Sequence, residues 1–199
     1  MPATMIHLQI AYKINPSACG HFFMGCFAPD YFEDKSDIPN PKKQTHLREN
    51  RNDLEWEANI AKFYQQIDKS NPFHMGYVTH LLCDRWFNPE YADDGKLFVN
   101  RESRNSEYRI VGRYIRLNAP WVSDVFGKME QCSDDITYPI PGFSALETIK
   151  YKNALISASL RQSDEQAERI TPTILTPEFL DKLSDEFAEK YRVWIEAHT

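Results

Sequence analysis

Glycine is scarce in this chain, with seven in 199 residues against twelve prolines. Tight hairpin turns draw heavily on glycine, so this balance argues against a sheet of many hairpins and for helices with sharp ends. No apolar run approaches the ~18 residues needed to cross a bilayer. The opening Met-Pro-Ala-Thr-Met-Ile-His-Leu-Gln-Ile lacks the basic region, apolar stretch and small-residue cleavage site of an export signal. Basic runs are missing too, and a formal net charge of −6 excludes a non-specific nucleic-acid binder. The four cysteines (Cys19, Cys26, Cys83, Cys132) make no C-x-x-C pair and read as reduced core thiols, not a disulfide framework. Histidine is missing between His80 and His198. The expectation is a soluble, cytoplasmic protein of one domain spanning 1–199. A chain of this length buries about 70% of its unfolded surface without staples.

What is present centres on residues 71–88. Asn71 is a good N-cap and Pro72 occupies the first helical position, so a helix start is well specified. Phe73, Tyr77, His80, Asp84 and Phe87 then recur at intervals of three and four, one face of a helix. Met75, Val78, Leu82 and Trp86 form a second apolar stripe, and a helix apolar over most of its circumference is buried. His80 and Asp84 project together from it, and an unpaired buried carboxylate costs several kcal/mol. Two readings are open. The pair holds a divalent ion, or it is a hydrogen-bonded pair with Asp84 matched to an arginine elsewhere.

Residues 3–14 fit either period: Ile6, Leu8, Ile10, Tyr12 and Ile14 alternate like a strand, whereas Met5, Leu8 and Tyr12 suit a helix. His7 lies within that run. Ser17 is placed to cap a short helix over 18–26, which stops at Ala28-Pro29-Asp30 because the residue before proline is pushed out of the helical region. Tyr31 to Pro41 reads as a surface loop, and 42–46 as its end, delivering His46. An amphipathic helix runs from Asp53 to about Ile67, with Trp56, Ile60, Phe63, Tyr64 and Ile67 on one side. Further helices are expected over 103–117, from Trp121 to Met129, from the capping-box pattern Ser144-Ala-Leu-Glu147 towards Leu160, and from Thr176-Pro177 with Leu180, Leu183, Phe187, Tyr191 and Trp194 as its stripe. No internal repeat or low-complexity segment is found. The fold class expected is an all-α, single-domain multi-helix bundle.

Asp30, His46, His80 and Asp84 have the chemistry of one four-ligand divalent site, suited to zinc with manganese or iron as alternatives, and His7 would serve a neighbouring ion. The order Met-Ile-His7-Leu, Phe-Met-Gly-Cys-Phe-Ala-Pro-Asp30, Thr-His46 and Gly76-Tyr-Val-Thr-His80-Leu-Leu-Cys-Asp84-Arg resembles the zinc-dependent phospholipase C family over roughly the first 90 residues. The resemblance implies an all-helical fold related to P1-type nucleases. It implies one zinc on Asp30, His46, His80 and Asp84, with the other oxygen of Asp84 bridging to a second ion on His7. In that family an N-terminal tryptophan completes the second ion, and the Met-Pro-Ala start does not match it. The family's third ion takes two histidines and a glutamate downstream, which a chain lacking histidine there does not supply. A third ion here would need carboxylates alone, such as Asp93, Asp94, Asp124 or Glu147.

The activity this implies is phosphoric ester hydrolysis by metal-activated water, with a small-molecule or lipid phosphoester as substrate and Asp30 both holding the ion and orienting or deprotonating the water. Arg85, Arg109, Arg113 and Arg116 could bind phosphate, though an exposed charged face is the simpler account of the last three. His21 and His74 are not expected to be ligands. A helical nucleotide phosphohydrolase of the adjacent His-Asp type is disfavoured because no His-Asp dipeptide occurs. The competing class is a non-catalytic helical metal-binding or interaction protein that has lost part of an active site.

Overall fold

The computed structural model describes residues 4–32, 39–49, 52–87, 97–136, 140, 142–160 and 171–199. Among them run nine α-helices: α1 (Thr4–Ile14), α2 (Gly20–Gly25), α3 (Pro41–Thr45), α4 (Asp53–Gln66), α5 (Pro72–Phe87), α6 (Arg101–Asn118), α7 (Val122–Glu130), α8 (Ala145–Leu160) and α9 (Pro177–His198). A 3₁₀ turn, Ala28–Asp30, follows α2. The described residues contain no strand beyond one isolated antiparallel bridge between Phe32 and Phe143. The fold is all-α. Among the described residues, no helix is long and apolar enough to cross a membrane.

Helix ends follow local chemistry. The side chain of Asn71 accepts from the N–H of Phe73 at 2.9 Å, so α5 starts where Asn-Pro specifies. Thr176 caps α9 through the N–H of Phe179, and Ser144 caps α8 through that of Glu147. Asn100 and Ser103 cap α6 reciprocally, which starts it two residues earlier than the apolar pattern alone indicates. The segment of double periodicity is helix α1. Its Met5, Ile6, His7, Leu8, Ile10 and Ala11 are all buried, as a segment covered on several sides requires. Two expectations need correction. Ser17 caps nothing: Cys19 holds the N-cap position of α2 without a side-chain bond, and Ser17 turns to Asn15. Residues 41–45 form helix α3, with Pro41 at its start. Of the cysteines, only Cys26 and Cys83 are core thiols; Cys19 is exposed and Cys132 half-buried.

Helix α5 lies at the centre. It packs against α2, α4, α1 and α9, while α1 also rests on α9 and α6, and α7 covers α2. The expected stripe on α9 is buried (Leu180, Leu183, Phe187, Tyr191, Trp194), and so is that on α4 (Trp56, Ile60, Phe63, Tyr64) except for Ile67, which closes the helix half-buried. The α2–α5 crossing is backbone against backbone. A Cβ added at Gly76 would sit 2.0 Å from the carbonyl oxygen of Phe22, and one at Gly25 would sit 2.2 Å from that of Phe73. Far from this crossing, the buried carboxylate of Glu107 on α6 accepts the N–H groups of Thr173, Ile174 and Leu175 at 2.9, 2.7 and 3.0 Å. That bond set ties the approach to α9 onto α6.

Two expectations follow. Gly76→Ala forces α2 off α5 and is expected to cost at least the ~1–3 kcal/mol of overpacking, whereas Gly127→Ala on α7, whose Cβ meets nothing within 4 Å, should stabilise by about 0.5–1 kcal/mol. Urea midpoints compare the two, and equal effects would refute the close-crossing account. Glu107→Ala strands three N–H groups and should cost at least about 2 kcal/mol, with faster hydrogen exchange at residues 173–175. Unchanged exchange there would show that the tether does not matter.

Candidate metal centre

The side chains singled out from the sequence arrive from four segments. His7 comes from α1, Asp30 from the 3₁₀ turn, His46 from the residue closing α3, and His80 and Asp84 from successive turns of α5. Four packed elements therefore have to be in place before the cluster exists.

Each of two imidazoles is oriented by a carbonyl. Nδ1 of His80 lies 2.8 Å from the carbonyl oxygen of Cys26, at the end of α2. Nδ1 of His46 lies 2.8 Å from that of Lys42, one turn earlier in α3. A carbonyl oxygen only accepts, so both Nδ1 atoms carry the proton and both Nε2 atoms present a lone pair. Those Nε2 atoms face each other at 3.3 Å. Around them, Nε2 of His46 is 3.5 Å from Oδ1 of Asp30 and 3.5 Å from Oδ2 of Asp84, and Nε2 of His80 is 3.8 Å from Oδ2 of Asp84. Donors held at about 2.0–2.1 Å around a tetrahedral ion lie roughly 3.3–3.4 Å from one another. The spacings among His46, His80 and Asp84, from 3.3 to 3.8 Å, fit three members of such a set with small contraction, and Asp30 approaches it through His46.

The other oxygen of Asp84 faces Nε2 of His7 at 3.3 Å. The His7 ring stacks on His80 with centroids 4.0 Å apart, and its Nδ1 is buried with no hydrogen-bond partner among the described residues. Ligand atoms of His46, His80 and Asp84 lie within 4.8 Å of one another, and so do those of His7, Asp30 and His80, so the expected ligands fall into two groupings that share His80, with Asp30 in the His7 grouping.

Electrostatics follow burial and neighbours. Burial pushes His80 down to about 3, reinforced by His7 and resisted by Asp84 and Asp30, so it is a neutral imidazole at pH 7. Burial would raise Asp84, but the His7 ring facing it and the neighbouring His80 outweigh burial and bring the carboxyl to about 2. Burial likewise works against ionised Asp30, and His46, His80 and Lys42 together hold it well below the usual carboxylate range. The cluster therefore holds two ionised carboxylates around a neutral His80.

Surrounding bonds fix the ligands' backbone. Tyr77 donates to the carbonyl of Thr45 at 2.7 Å, Trp56 Nε1 to that of His46 at 2.7 Å, and the Thr45 hydroxyl to that of Pro29 at 2.8 Å. Leu47, next to His46, is held at φ 54°, a left-handed conformation that costs a non-glycine residue ~1–2 kcal/mol. The sequence marks Tyr77 and Trp56 only as members of apolar helix faces, because the carbonyls they support lie 32 and 10 residues away. Lys42 was read as loop, yet its Nζ lies 3.1 Å from Oδ1 of Asp30. Its position one turn before His46 was the available signal.

The remaining candidates lie elsewhere. Arg85 donates to the carbonyl of Asp53 and pairs with Glu57, which removes it from phosphate binding and from Asp84 alike. Arg109 is exposed on α6, and Arg113 and Arg116 are half-buried there. His21 meets the carbonyl of Ser133, and His74 that of Asp68. Asp124 pairs with Lys128 and Glu147 with Lys150 at the surface, so they build no third carboxylate site together, while Asp93 and Asp94 lie outside the described residues. Comparison of the chain with protein-family models, curated proteins and solved structures finds no match.

The tautomers are directly measurable. Long-range ¹H–¹⁵N spectra of metal-stripped protein should show His46 and His80 both protonated at Nδ1, and His80 should not titrate between pH 7 and about 5. Because His80 binds its proton near 6.5 when unfolded but only near 3 when folded, the unfolded state takes up more protons in between. Stability should then fall as pH drops through that window, by up to about 1.4 kcal/mol per pH unit from this group. An Nε2–H tautomer at either ring would overturn the geometry given above.

Proposed function

We propose that this chain is a metal-dependent phosphoric ester hydrolase, holding zinc on Asp30, His46, His80 and Asp84, with His7 and the second oxygen of Asp84 available to a neighbouring ion. The observation that carries this reading is the convergence of the His46 and His80 imidazoles with the Asp84 carboxylate in one buried cluster, with Asp30 and His7 beside them. The resemblance of the same residues, in the same order, to zinc-dependent phospholipases C supports it. Soft-to-borderline imidazole with carboxylate suits zinc best, with manganese or iron as alternatives.

A bound divalent ion supplies Lewis acidity towards a phosphoryl oxygen and acidifies water. Asp30 is the one carboxylate of the set that reaches the surface, its side chain 17% exposed against 0% for Asp84. Being ionised, it accepts a hydrogen bond from the attacking water and aims the water oxygen at phosphorus. The new P–O bond forms as the ester P–O bond breaks, and the water proton passes by way of Asp30 to the departing alkoxide. His46 and His80, fixed by their carbonyl partners, need no reorientation as charge develops. A small phosphodiester is the substrate class proposed.

A structural ion site is the second reading, favoured by the near-complete burial of His46, His80 and Asp84. Closed four-ligand sites stabilise folds without catalysing anything. Three measurements separate the readings. Elemental analysis after zinc loading and dialysis should find one or two ions per chain, and three would refute the site count. A chelator should lower the melting temperature of the wild type and leave His80→Ala nearly unchanged. Bis(p-nitrophenyl) phosphate should be hydrolysed in a zinc-dependent way, with Asp30→Asn losing about 10²-fold or more in kcat. Full occupancy without hydrolysis of any phosphoester would leave the structural reading standing.

A further inference from the structure

We infer that Lys42 is the phosphate-binding residue of this site and that its charge selects a singly charged phosphodiester. The inference rests on the hydrolase reading above.

Lys42 belongs to the cluster twice over. Its carbonyl oxygen accepts the Nδ1 proton of His46 at 2.8 Å and bonds the Thr45 hydroxyl at 3.2 Å, so its backbone is part of the frame that aims His46. Its Nζ donates to Oδ1 of Asp30 at 3.1 Å. Exposure rises outward along this line, from 0% at the Asp84 side chain to 17% at Asp30 and 49% at Lys42. The ammonium therefore stands at the solvent side of the one ligand that reaches solvent. Three protons sit on that nitrogen and one bond to Asp30 uses one of them, which leaves donors for a phosphoryl oxygen approaching the same corner.

Charge balance gives the residue its importance. A single divalent ion is balanced by the carboxylates of Asp30 and Asp84, so a centre loaded with one ion has no net attraction for an anion. Lys42 makes the mouth singly positive, which complements a phosphodiester with its single negative charge. Among the described residues, Arg85 is committed to Glu57 and the carbonyl of Asp53, and Lys152 to Asp134. An isolated exposed Lys–Asp pair would be worth little as a stabilising contact. The position of this one, on a carboxylate that also faces two imidazoles, assigns it to recognition.

The test titrates inorganic phosphate into zinc-loaded wild type, Lys42→Met and Lys42→Arg by calorimetry, with zinc affinity measured separately. Lys42→Met should bind zinc at least as tightly as wild type and lose about tenfold or more in phosphate affinity, the scale of one charge-assisted bond. Its KM for bis(p-nitrophenyl) phosphate should rise with kcat little changed, and Lys42→Arg should restore most of the phosphate affinity. Equal phosphate affinity in wild type and Lys42→Met would overturn the role of Lys42 while leaving the hydrolase reading intact. So would a loss that merely follows lost zinc. Zinc-loaded wild type that binds no phosphate and cleaves no diester would overturn both.

Discussion

Two imidazole nitrogens with outward lone pairs, 3.3 Å apart in a buried space, are the constraint around which this fold is arranged. Each ring has already given its one proton to a backbone carbonyl, so neither can bond the other. Two carboxylates complete the set and add acceptors, not donors. Carboxylates and lone pairs that face one another at this distance repel in a medium that screens them poorly. The arrangement is tolerable only if something cationic can stand among them, and burial of His80 works against recruiting that charge as a proton.

The surrounding architecture explains why the rings cannot relax. The carbonyl that pins His80 comes from Cys26, at the end of α2, and α2 meets α5 at a glycine crossing with no space for a Cβ. Loosening that crossing would move Cys26 and free the His80 ring to flip. His46 is held from two sides, by Trp56 on its own carbonyl and by Tyr77 on that of Thr45. The left-handed Leu47 marks the same region as one where backbone comfort gives way to side-chain placement. Packing energy from the apolar faces of α4, α5 and α9 is thus what keeps four acceptors together.

How much of this was legible in the sequence depended on range. Helix α5, with its cap, its proline and its buried His80–Asp84 pair, was readable because all of its signals are local. The stripes of α4 and α9 were readable for the same reason. Helix α1 was not resolved by periodicity, since a segment buried on several faces carries apolar residues at both spacings. The short helix α3 was taken for loop because five residues give no period to detect. Asp30, His46 and His7 could be nominated by residue type, but their convergence is a tertiary fact, set by packing between segments far apart in sequence. Glu107 offered no local sign at all, because the amides it satisfies lie more than sixty residues downstream.

The division of labour along the chain bears on the choice between an enzyme and an ion-stabilised scaffold. Every candidate ligand lies within the first 84 residues, and the described downstream helices support them from outside: α9 and α6 against α1, α7 against α2. A site serving only to hold those helices together would gain most from complete closure, since any opening lets water compete for the ion. Here the closure is graded. His80 and Asp84 are sealed in α5, His46 is nearly so, Asp30 is partly open, and Lys42 stands half in solvent beside it. A stabilising site has no use for a cation placed against one of its own anionic ligands on the open side, since that charge competes with the ion for Asp30. A site that must draw in an anion and present it to the cluster does, and the outward run from Asp84 through Asp30 to Lys42 favours chemistry over scaffolding.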